Sequence, residues 1–200
     1  MAAQGHAFRA TLGYVTDAPG DFCIINNPFP YTPSGGLTCG WTVVGGVGTA
    51  DRNNLIDPRL AGTTYTPGIA GYFIVEWPST GSKTIQLAAG DAGSFTNPCV
   101  WDLYDGTTLL SHITTGTTNA SFHDSTDTNY NAASWPGSNT TQNFTFSDTG
   151  GTGGTTRIIL QSYASGNTVL AYFKVSDAGA AATFMPNAAG IALSNLTVTQ

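Results

Sequence analysis

Residues able to do chemistry are few, and they are spread thinly. The chain holds 12 Asp+Glu, 6 Lys+Arg and 3 His in 200 residues. A glycosidase needs two carboxylates held in different environments, one as acid and one as base or nucleophile. Only one Glu exists, Glu76, inside an apolar run, and the Asp residues fall mostly in loops and turns without a spacing that singles out a pair. No enzyme activity is therefore expected. His6, His112 and His123 are far apart, and neither an H-x-H nor a C-x-x-C spacing occurs. Oxygen ligands are denser. Asp124, Asp127 and Asn129, followed by Asn131, imitate the start of a calcium loop. Ala132 stands where that loop needs Gly, and Ser138 where it needs Glu. A chain of Asx turns explains the same residues; calcium is the one cofactor these residues suggest, and no other is indicated.

Two other groups stand out. His123, Asp124, Tyr130 and Trp135 lie in one polar stretch, the combination of flat rings and short polar side chains that holds sugar hydroxyls. Trp135 serves equally well as an anchor for a long loop. Asp51, Arg52, Asp57 and Arg59 are the densest charge cluster of a charge-poor chain. They read either as a salt-bridge network pinning a loop or as an interface clamp. The glycine clusters at 45–48 and 150–154 are not followed by helical patterns, so they read as loop tips rather than phosphate cradles.

The elements that must position these residues are strands. Charged residues make up 9% of the chain, against a usual value of about 25%. Threonine, with 31 residues, and glycine, with 25, take their place. A helical bundle needs Glu, Lys and Leu on its wet faces, and β-branched Thr fits a pleated surface better. A net charge of -6 and pI of about 4.6 argue against a nucleic-acid partner. No apolar run approaches the ~18 residues of a membrane span, and no basic-then-apolar leader is read at the N-terminus.

Period-two patterns recur at about 7–15, 22–25, 41–44, 72–77, 84–87, 100–104, 107–113, 142–147, 157–163, 169–175 and 191–198. Residues 72–77 are apolar on both faces, as in a central strand. Asp105-Gly106 between two runs predicts a two-residue hairpin. Residues 45–68 and 114–141 read as long loops. Trp41, Trp77 and Trp101 read as core. Cys23, Cys39 and Cys99 allow one intramolecular pair at most, and buried free thiols are the simpler expectation. The sequons at Asn119, Asn139, Asn143 and Asn195 are expected by chance in so Asn- and Thr-rich a chain. The expected architecture is one all-β domain over residues 1–200: an antiparallel β-sandwich of jelly-roll type with about ten strands, a possible N-terminal arm at 1–15 and a C-terminal strand segment at 176–200.

Several segments, in this order, resemble a known group. They are Trp41-Thr42, Asp51-Arg52, residues 57–62, Tyr72 to Pro78, residues 85–92, Leu103-Tyr104-Asp105-Gly106, Phe122-His123-Asp124 and Ser134-Trp135-Pro136. The group is a set of β-rich proteins from tailed-phage and related genomes, jelly rolls of the galactose-binding or malectin-like kind. The chain departs from it at Glu76-Trp77, where an acidic residue and Leu are usual. The resemblance implies a sandwich and transfers no catalytic residue. It also implies a non-enzymatic virion role, as a capsid decoration protein or a tail or fibre component assembled in the host cytoplasm. The partners would be the major capsid protein or another virion protein and further copies of this chain, closing into a trimer or similar ring. The alternative is a carbohydrate-binding module, calcium-assisted or not, with surface glycans as partners.

Overall fold

A computed structural model describes residues 5–9, 22–23, 28–32, 38–42, 48–51, 60, 62–67, 71–91, 99–115, 121–131, 141–162 and 167–178. The described chain is built of strands. In chain order they are β1 (Gly5–Arg9), β2 (Phe22–Cys23), β3 (Thr38–Trp41), β4 (Gly48–Asp51), β5 (Gly62–Pro67), β6 (Gly71–Trp77), β7 (Gly81–Asp91) and β8 (Cys99–Asp105). Then follow β9 (Thr108–Thr115), β10 (Ser121–His123), β11 (Asn129–Asn131), β12 (Thr141–Phe146), β13 (Thr156–Ser162), β14 (Asn167–Leu170) and β15 (Tyr172–Asp177). A 3-10 turn, Thr152–Gly154, lies between β12 and β13. No described helix is long and apolar enough to cross a membrane.

The strands form an all-β sandwich of jelly-roll type. A five-stranded sheet runs β3-β6-β13-β8-β9, all antiparallel. A seven-stranded sheet runs β11-β10-β7-β15-β1-β2, with β12 also on β7. A three-stranded sheet, β14-β5-β4, completes the fold. Alternation dictates what lies between the two large sheets. From the five-stranded sheet come Trp41, Phe73, Val75, Trp77, Trp101, Leu103, Ile158 and Leu160. From the seven-stranded sheet come Ile85, Leu87, Phe146, Phe173 and Val175. Phe73 meets Phe173 edge-on across the sandwich, with ring centres 6.5 Å apart. Trp41 touches Phe73 and Trp101 at 5.3 and 5.9 Å. The three tryptophans are core, as their strand settings predict, and truncating any of them to Ala removes roughly 3–5 kcal/mol. Cys39 is a buried free thiol, with burial pushing its pKa up to about 12.

Several expectations are corrected. The described residues contain fifteen strands rather than about ten. The 45–68 stretch holds β4 and β5, which lack apolar alternation because Gly and Thr fill most of their positions. The 114–141 stretch holds β10 and β11. The 169–175 run is two strands in different sheets, parted at Ala171, whose N–H donates to Ala88 O at 2.9 Å. β1 and β2 pair in parallel, and β1 also pairs with β15, so residues 5–9 are a strand of the seven-stranded sheet; the rest of 1–15 lies outside the described residues. The hairpin turn slips by one residue. Asp105 pairs with Thr108, so Gly106 (φ 57°) and Thr107 are its central residues, and Asp105 ends β8. A Cβ at Gly106 would lie 2.5 Å from Asp148 Cγ, so this close approach also calls for glycine.

Candidate ligand-binding face

The alternation that fills the core sends a second set of side chains outward from the five-stranded sheet. Register lines them up in rows. Tyr72, Gln161, Asp102 and His112 stand opposite one another across β6, β13, β8 and β9. One pleat further along are Ile74, Ile159, Tyr104 and Leu109, and beyond them Glu76 and Arg157. Rows on one face are about 7 Å apart, set by two residues of strand rise. Tyr72 and Leu109 are exposed, at 41% and 50% of their surface. A polar row thus runs beside an apolar one: Tyr72 and His112 are the open ends of the first and Leu109 of the second, while Ile74, Glu76 and Asp102 are buried.

Buried charges hold this face in shape. Asp102 is buried, and its carboxylate lies 2.6 Å (Oδ1) from His112 Nδ1 and accepts the Tyr104 hydroxyl at 3.1 Å (Oδ2). The His112 side chain is 56% exposed. Glu76, also buried, accepts Thr152 N at 3.0 Å, Thr152 Oγ1 at 3.2 Å and Arg157 Nη2 at 3.0 Å, all on Oε1. The glycine-rich tip is thereby pinned to the end of β6. On the inner side, buried Asp105 accepts Ser147 N, Ser147 Oγ and Asp148 N at 2.7, 3.0 and 3.0 Å. Buried Lys83 donates to Thr80 O at 3.0 Å and lies 3.1 Å from Asp177 Oδ1.

The residues singled out by sequence lie mostly at another place. His123, Asp124, Asp127, Asn129 and Tyr130 come together at the corner made by β10, the following turn and β11. Asp124 is wholly buried, and its Oδ1 accepts Thr126 N, Thr126 Oγ1 and Thr128 N at 2.8, 2.8 and 3.0 Å. It builds the turn from within. Asp127, at φ 64°, accepts Thr114 N at 2.7 Å and lies 2.8 Å from His123 Nδ1, so the turn covers part of the free edge of β9. Asn129 accepts the Ser121 hydroxyl. Tyr130 packs on Leu60, Ala88, Phe122, Ala171 and Tyr172. Its phenol is pushed up by burial and by the nearby Asp124 charge. Among the described residues no three His, Cys, Asp or Glu side chains meet in a group that could hold a metal ion. Trp135, Arg52, Asp57 and Arg59 lie outside the described residues, as does the Asp51 side chain, although its backbone ends β4.

Sequence reasoning missed Tyr72, Tyr104, Gln161, His112, Asp102 and Arg157 as one group. The signal was the other half of the alternation: the residues out of phase with Trp101, Leu103, Ile158 and Leu160. Which strands lie side by side decides the rows, and only the pairing shows that. Fold and face together define an all-β sandwich with an aromatic-and-polar sheet surface that is exposed at Tyr72, His112 and Leu109. No family model and no curated protein matches the sequence. Among solved structures, the chain is similar to the C-terminal CBM6 of LamC, a marine laminarinase from Zobellia galactanivorans, at 13% identity and a TM-score of 0.33. That match covers 66% of this chain and 99% of the other. A likeness this slight carries no inference about ligand.

Proposed function

We propose that this chain is a non-catalytic recognition module whose open five-stranded face binds a neutral glycan. The observation that carries the reading is the row Tyr72–Gln161–Asp102–His112 with Tyr72 standing open at its end. A tyrosine offers a flat apolar ring with a polar tip, which suits the C–H face of a sugar. The Gln161 amide beside it and the His112 imidazole at the other end of the row can exchange hydrogen bonds with hydroxyls. The apolar neighbours Ile159 and Leu109 supply contact area without a charge that would select ions. The test is titration against a panel of neutral polysaccharides. Tyr72→Ala and Gln161→Ala should each weaken binding about tenfold or more, as removal of a well-packed anchor does. Flat responses of the wild type across the whole panel, with and without calcium, sink the reading.

A second reading, a structural protein of a tailed-phage virion, is favoured by the sparse charge of 9%. Thr-, Ser- and Asn-rich surfaces pack into a crowded shell with little like-charge repulsion. A surface protein of a particle can also hold glycans, so the two readings are compatible. Mass spectrometry of purified particles decides the matter: absence of the chain from them removes this reading and leaves the first untouched.

A further inference from the structure

We propose that Asp102 is a positioning residue that fixes the proton of His112 on Nδ1, so that Nε2 faces the ligand as a hydrogen-bond acceptor for a sugar hydroxyl. The proposal rests on the glycan reading for its ligand, but its chemistry stands on the dyad itself. An ionised carboxylate can only accept. The 2.6 Å contact between Asp102 Oδ1 and His112 Nδ1 therefore needs its hydrogen on the ring nitrogen. In a neutral imidazole this leaves the lone pair on Nε2. The carboxylate is well placed to enforce that choice. Its side chain is 4% exposed, while the ring is 56% exposed, so the acid anchors and the ring presents. The other oxygen is held by the Tyr104 hydroxyl at 3.1 Å, which keeps the carboxylate plane from turning. Asp102 and Tyr104 face the ring from β8, and Asp127 with His123 stands further along β9, at Thr114.

His123 provides the contrast. Its Nδ1 meets Asp127 Oδ1 at 2.8 Å in the same manner, but its Nε2 is buried with no partner. One imidazole is turned into the protein and the other is turned out on the row that ends in Tyr72. Only the second can present an acceptor to a ligand.

The experiment has two readouts. Long-range 15N–1H correlation spectra of the wild-type protein at about pH 8, above the ordinary imidazole range, report the tautomer directly. A single Nδ1–H form of His112 is expected, and Asp102→Asn, whose amide can also donate, should mix the two forms. Titration with the glycan bound by the wild type should show His112→Ala weakened about three- to tenfold, the worth of one hydrogen bond, with its fold intact by circular dichroism. A wild-type Nε2–H tautomer overturns the proposal even where Tyr72→Ala abolishes binding. Unchanged affinity in His112→Ala beside a loss in Tyr72→Ala overturns it as well. A panel with no binder at all removes the glycan reading and the ligand role of Nε2 with it, while the nitrogen spectrum still decides whether Asp102 positions the ring.

Discussion

Removing Arg157 should cost more than neutralising the acid it pairs with. The Glu76 side chain is 2% exposed and Arg157 33%, so the acid is the member that water cannot reach. Glu76 Oε1 takes all three contacts, from Thr152 N, Thr152 Oγ1 and Arg157 Nη2. In Glu76→Gln the amide oxygen can occupy the same place and keep the same donors. What it loses is charge assistance, roughly 1 kcal/mol. In Arg157→Met the carboxylate remains inside with the two Thr152 donors alone. Breaking a buried pair by deleting one partner costs about 3–5 kcal/mol, and the partial exposure on the arginine side puts this case at the low end, about 3 kcal/mol. In the double variant no charge is stranded, and the loss should return to about 1–2 kcal/mol, a coupling of about 2–3 kcal/mol. Urea unfolding, with an unchanged slope confirming the same transition, measures all three. Equal losses in the two single variants, or additive losses in the double, would refute the view that Glu76 is a desolvated carboxylate held by Arg157.

Three further outcomes follow from particular contacts. Gly90→Ala places a Cβ 2.2 Å from Ser121 O, a backbone atom that cannot swing away, so β10 must part from β7. A loss of about 3 kcal/mol or more in urea unfolding is expected, and a change below about 0.5 kcal/mol would show that this strand pair gives easily. Cys39, held up to about 12 by burial against an ordinary 9.0, contributes stability that is complete below pH 9.0 and declines as pH rises toward 12. The unfolded thiol loses its proton first, so the unfolded state gains with pH. Cys39→Ala should flatten that alkaline decline, and identical alkaline profiles for the two proteins would speak against it. Asp127→Ala removes the contacts to Thr114 N and His123 and opens part of the β9 edge. Amide exchange at Thr114 should speed up about tenfold with a stability loss of about 1 kcal/mol, and an unchanged Thr114 rate would show that the turn does not guard the edge.

Residues 100–113 show why some of this was legible. Trp101 and Leu103 alternate with Asp102 and Tyr104, and an apolar run follows a Gly, so a strand, a turn and a strand were readable from local pattern alone. The turn still slipped by one residue, because Asp105 has work at the end of β8, accepting from Ser147 and Asp148 more than forty residues away. β5 was not legible, since Thr63, Thr64 and Thr66 give no apolar phase, and its partners β4 and β14 are also rich in small and polar residues. The candidate face was half legible. Its outward residues could be read from each strand, but the row depends on pairing β6 to β13 and β13 to β8, which are contacts between distant segments. The β10–β11 corner drew attention for its Asp and Asn content. The structure shows the Asp residues and Asn129 there as hydrogen-bond acceptors of the hairpin and of the β9 edge.

The scarcity of charge takes on a more definite meaning once burial is known. Glu76, Lys83, Asp102, Asp105 and Asp124 are all buried, and each one fastens a loop, a turn or a ring. A buried charge is tolerated only where hydrogen bonds satisfy it, so each such residue also defines its surroundings narrowly. Chains commonly keep these groups on the surface for solubility. Here several of the few act as internal fasteners, and the open sheet face is left to Tyr, Gln, Ile, Leu and an imidazole. Among the described residues, the full charges of this face are paired: the one-third exposed Arg157 guanidinium with buried Glu76, and buried Asp102 with His112. A face so arranged exerts little long-range pull on ions. On the glycan reading proposed above, such a face would select by shape and by hydrogen bonds at contact, which suits a neutral, hydroxyl-rich ligand better than a charged one.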